Sequence, residues 1–162
     1  MACLLSVVLY MSFSACSSID CPVQNTVRTY YNICGSDGSA LTLKDAVTVI
    51  SRRSDGLDTL LLNLQTNVSA FSLPISYSHP EDILVFAFST ATGDSIYGID
   101  TVWVKKEDIP HFESVDCSAS FFHHLTDVRT THHYIDSLVI NNPEVNYDQS
   151  IVHFRLYPKT RD

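Results

Sequence analysis

Apolar and polar residues alternate along most of this chain with a period of two, the spacing at which successive side chains reach opposite faces of a strand. No segment carries a helical stripe. The run TVRTYYNI, Thr26 to Ile33, is rich in β-branched and aromatic residues and stops at the glycine-punctuated CGSDGS, which predicts a first strand. LTLKDAVTVIS and LDTLLLNL, separated by Ser54-Asp55-Gly56, predict two more. FSLPISYS carries Pro74 in mid-run, where the missing ladder donor predicts an edge strand or a bulge. DILVFAFST holds six consecutive apolar residues from Ile83 to Phe88, as expected of a central strand covered on both faces. SIYGIDTVWVKK alternates around Val102 and Val104 and predicts a half-exposed strand. Past Pro110, HFESVDC and SFFHHL are short and ambiguous, whereas YIDSLVI and IVHFRLY are clear. In the last strand Val152, Phe154 and Leu156 fall on one face, and His153, Arg155 and Tyr157 on the other.

Eight or nine short antiparallel strands with turn signals between them, and no crossover helices, predict an all-β fold, an immunoglobulin-like β-sandwich. That domain is expected over residues 26–160. Upstream, MACLLSVVLYMSF is free of charge and shorter than the roughly 20 residues a spanning helix needs, so residues 1–15 are expected to be an export signal. Phe13-Ser14-Ala15 before Cys16 resembles the bacterial lipobox, in which cleavage leaves a cysteine whose sulfur carries a diacylglyceryl group. Cys16 is therefore the expected lipidation site, residues 16–25 a short tether, and the membrane a partner through the N-terminal lipid. A buried first strand is the alternative reading of the same run.

Composition narrows the partners. Ten Lys and Arg against eighteen Asp and Glu leave a net charge of −8, which on average repels a phosphate backbone, so no nucleic-acid partner is expected. Apolar residues at 45% suffice for a globular core. Of the five cysteines, Cys21, Cys34 and Cys117 remain once Cys3 leaves with the signal and Cys16 takes the lipid. Two of those three can form a disulfide in an oxidising compartment, with the connectivity open. No phosphate-binding, dinucleotide, nucleophile-elbow or zincin motif occurs, and no cofactor is implied.

Four of the seven histidines fall in HHLTDVRTTHH. If FFHHL and THHYI were the arms of a hairpin centred on Val128, His124 would face His132 and His123 would face His133, close enough for each pair to share a metal ion. A third ligand would have to come from Asp127, Asp116 or His111. The alternative is that these are exposed strand residues. Glu81-Asp82 and Glu107-Asp108 read as solvated loop charges, because neighbours in a strand point to opposite faces. Four tripeptides, Asp58-Thr59-Leu60, Asp94-Ser95-Ile96, Asp100-Thr101-Val102 and Asp136-Ser137-Leu138, look like the acceptor motif for O-glycosylation of exported Bacteroidota proteins. Thr59, Ser95, Thr101 and Ser137 are the candidate hydroxyls. The aromatics, Trp103 and Tyr30-Tyr31 above all, belong to the core or to a sugar- or peptide-binding face.

CSSIDCPVQNTV, TNVSAFSLPISY, DTVWVKKEDIPHFESVDC and HHYIDSLVINNPEVNYD together resemble a family of small uncharacterised Bacteroidota lipoproteins, over nearly the whole chain after Cys16. The resemblance implies a β-rich fold and a lipid-anchored position in the cell envelope, with the outer membrane the expected one. It assigns no catalytic residue. The function expected from all of this is non-catalytic binding or scaffolding of an envelope protein or glycan. The alternative is a metal-binding or metal-dependent envelope enzyme built on His123, His124, His132 and His133.

Overall fold

The computed structural model describes residues 27–115 and 117–159, and among them the ordered elements are ten strands in two sheets. The strands are β1 (Arg28–Ile33), β2 (Ala46–Arg52), β3 (Thr59–Gln65), β4 (Ala70–Pro74), β5 (Glu81–Ser89), β6 (Ile96–His111), β7 (Ser120–Thr130), β8 (Ile135–Ile140), β9 (Glu144–Val145) and β10 (Phe154–Pro158). One sheet runs β4-β1-β10-β8 and the other β3-β2-β5-β6-β7-β9. The sandwich read from the sequence is therefore the fold. One pairing departs from it: β1 and β10 are parallel, joining the first and last strands at the middle of the smaller sheet.

Period-two burial makes the core. Tyr31 and Ile33 of β1 and Phe154 and Leu156 of β10 point inward and are almost wholly buried. Tyr31 stacks on Phe154 at 4.7 Å and on Phe71 of β4 at 4.9 Å, and this layer meets Phe86 of β5 across the sandwich. Arg155 is exposed, as the alternation requires. His153, expected on the solvent face, is fully buried. It precedes the strand, and its ring fills a polar gap: Nδ1 accepts from the Tyr30 amide at 3.0 Å, and Nε2 faces the Glu144 carbonyl at 3.2 Å.

Strand context explains the other departures. β5 is central, between β2 and β6, but of its apolar run only Leu84, Phe86 and Phe88 are buried; Ile83, Val85 and Ala87 form a half-exposed outer face. β4 is an edge strand, and Pro74 is its last residue. β6 runs straight through Pro110. Pairing with β5 begins at Glu81 opposite Lys105, so beyond that point β6 has only β7 beside it, and a proline there need not supply a second ladder. His111 thus closes β6 and SFFHHL opens β7, at the far end of one long β6–β7 hairpin.

The chain crosses from the larger sheet to the smaller between β7 and β8, and β6 holds that corner. Asp100, fully buried, accepts from the Thr131 hydroxyl at 2.7 Å and from the amides of His133, Tyr134 and Ile135 at 2.6, 2.7 and 2.7 Å. Burial alone would raise its carboxyl, but these bonds outweigh that and hold it below the usual carboxylate range. Two residues earlier Gly98 admits Tyr134: a β-carbon at Gly98 would stand 2.7 Å from the Tyr134 β-carbon. Tyr134 then packs on Phe88 with ring centroids 4.3 Å apart.

Candidate functional site

Val102, Val104, Lys106 and Asp108 occupy alternate positions on the inward face of β6, so a stripe that begins as core ends in two charges. Lys106 is only 3% exposed. An ammonium so placed needs partners, and it has two: Nζ donates to Asp108 Oδ1 and to the His79 carbonyl, each at 2.7 Å. Its amide donates to the Pro80 carbonyl at 2.9 Å. The β4–β5 loop is therefore pinned to β6 by a single residue, with a further bond from the Ser76 amide to Asp82 at 3.1 Å.

On β7, His123 stands opposite Asp108, and its Nδ1 lies 2.7 Å from the same carboxylate oxygen. The register shifts between Lys105 and Lys106, leaving Thr126 without a cross-strand partner. That bulge switches the inward parity of β7, so that His123 and Leu125 face inward on one side of it and Val128 and Thr130 on the other. Burial pushes the His123 imidazole below the usual histidine range; the Asp108 carboxylate opposes this, and the Lys106 charge adds to it. The ring is neutral at neutral pH. With Nδ1–H donated to Asp108, Nε2 carries the lone pair.

His123 lines a cavity of about 450 Å³ with Val27, Ile75, Tyr77, Ser118 and Phe121. Tyr77 and Phe121 stack nearly parallel, centroids 5.2 Å apart and planes at 6°. No described residue hydrogen-bonds Nε2. Ser120 also lines the cavity, but its hydroxyl accepts from Tyr147 at 2.6 Å and lies 3.4 Å from the His111 carbonyl. The arrangement orients a hydrogen-bond acceptor toward an aromatic-walled space, with no hydroxyl or thiol of a described residue bonded to it as a nucleophile.

Residues 46–158 match the family of unknown function DUF6452. The chain belongs to that family. No curated protein and no solved structure matches it. The DUF6452 match runs from β2 to β10, so it contains Lys106, Asp108, His123 and the Asp100 corner, while β1 and Val27 lie outside it.

Within this DUF6452 chain the four clustered histidines are not brought together. Val128 lies inside β7, and the turn comes after Thr130, with His132 in the left-handed region at φ 58°. The seven steps from His123 to Thr130 span roughly 23 Å of strand. His124 pairs with Glu144 at 2.6 Å, His132 Nδ1 lies 2.7 Å from the Asp136 carbonyl, and His133 Nδ1 lies 3.1 Å from the Thr131 hydroxyl. His111 pairs with Glu113 and stacks on Phe122, Asp127 is exposed, and Asp116 lies outside the described residues. No group of three His, Cys, Asp or Glu side chains able to hold a metal ion occurs among the described residues.

Cys34 is a free, buried thiol and Cys117 is disulfide-bonded; Cys16 and Cys21 lie outside the described residues. Thr59, opening β3, and Ser95, in the β5–β6 turn, are exposed, whereas Thr101 and Ser137 are half-buried within strands. Tyr31 is core and Tyr30 half-buried; Trp103 lies on the outer face beneath Arg129, whose guanidinium carbon is 4.8 Å from the ring. Lys106, together with Asp108 of the pair that reads as solvated loop charges, is what the sequence alone does not single out. Their signal is the unbroken alternation Val102, Val104, Lys106, Asp108.

Proposed function

We propose that this protein is a non-catalytic binding module of a bacterial cell envelope, tethered through an acylated Cys16, whose partner is an envelope protein or glycan. The observation that carries the binding role is the neutral, oriented His123 ring at a preformed cavity, with no hydroxyl or thiol of a described residue bonded to it. The anchor rests on SFSAC, and the Bacteroidota source on the segments that resemble such lipoproteins. The outer membrane is the expected location. Mass spectrometry of the membrane fraction tests the anchor: the mature chain should begin at Cys16 carrying a diacylglyceryl group, and Cys16→Ala should release the protein from membranes. A different N-terminus, or membrane attachment unchanged by Cys16→Ala, contradicts it.

A further inference from the structure

We propose that the cavity between the β4–β5 loop and the start of β7 is a subsite for one neutral sugar ring, stacked on the Tyr77–Phe121 pair and donating a hydroxyl hydrogen to His123 Nε2. This rests on the binding role above and names its ligand class.

Three features point to that chemistry. Tyr77 is 67% exposed, yet its ring is aligned by the stack on Phe121, so an aromatic face is displayed rather than packed away. A sugar presents a C–H face to such a surface and a girdle of hydroxyl donors around it. The cavity's polar inner wall is an acceptor: His123 is 2% exposed, its Nδ1 is held by Asp108, and no described residue engages Nε2. An acceptor that reaches the cavity and is left unpaired by the described residues favours ligands that bring a donor. Finally, no Lys, Arg, Asp or Glu among the described residues lines the cavity. A charged ligand would lose hydration there without a counter-charge from any described residue of the lining, which disfavours ammonium and phosphate groups alike.

The site is also preorganised. Lys106 fastens the His79 and Pro80 carbonyls to β6, fixing the loop that carries Tyr77, and through Asp108 the same ammonium supports His123. Both walls of the subsite are thus held before a ligand arrives, which lowers the ordering cost of binding. About 450 Å³ lies in the size range of small-ligand clefts.

Saturation-transfer NMR on the detergent-solubilised full chain tests this with four probes: the methyl glycosides of β-glucose, β-galactose, α-mannose and β-N-acetylglucosamine. At least one should receive saturation on its C–H face and shift the His123 ring resonance saturably, and Tyr77→Ala, on an exposed side chain, should weaken it about tenfold. No response to any of the four overturns the sugar assignment, as does a response untouched by Tyr77→Ala. Competition by n-butylammonium or inorganic phosphate at the same resonance overturns the neutral-ligand argument. With an acylated Cys16 in the mass spectrum, any of these outcomes removes the sugar alone and leaves the anchored module with a protein partner.

Discussion

Asp100 and His153 show how single buried polar residues hold this sandwich. Asp100→Ala would strand the amides of Tyr134 and Ile135 in the interior, and at about 1–3 kcal/mol for each orphaned donor the loss should be about 3 kcal/mol or more, read from urea midpoints. Acid should act on the same groups. Burial lowers the His153 imidazole below its ordinary 6.5, and His123 is lowered likewise, so the unfolded chain binds these protons first. Their contribution is complete above 6.5 and fades as the pH falls toward the folded values. Asp100, also lowered, adds a second loss below its ordinary 3.8. The urea midpoint should therefore fall between pH 7.5 and 5 and fall again below 4. A midpoint that rises over the first interval would contradict the neutral, buried histidines.

Elements of this fold depend on where neighbouring strands stop. Gly98 stands near the start of β6 where Tyr134 approaches it, and Gly98→Ala puts a β-carbon against the fixed Tyr134 β-carbon. A loss of about 1–3 kcal/mol is expected, measured by thermal melting. In β10 the alternation predicts the order of two neighbours. Phe154→Ala should cost about 3–5 kcal/mol and Arg155→Ala within about 0.5, so a larger effect at Arg155 would invert the register. Strands were legible where alternation is strict, as in β10, β2 and the first half of β6. They were hidden where context overrides local pattern. Pro110 is tolerated because β5 has already ended, His153 is buried by what surrounds the residue before the strand, and the apolar run of β5 covers only one buried face.

At the scale of the molecule, the parallel β1–β10 pair closes the smaller sheet and places Val27 beside the cavity, while the long β6–β7 hairpin carries the acceptor that faces it. The candidate site was legible only in part. His123 stood out in the sequence for the wrong partners, since its neighbours across the ladder are Asp108 and Val145 and not a second histidine. Cross-strand register is set by a bulge at Thr126 that no local motif announces. Long-range ¹H–¹⁵N correlation of the His123 imidazole at pH 7 should show a neutral ring protonated at Nδ1 and bare at Nε2, titrating below the ordinary histidine value. An imidazolium at pH 7, or a ring protonated at Nε2 alone, would leave the cavity facing a donor and contradict the account.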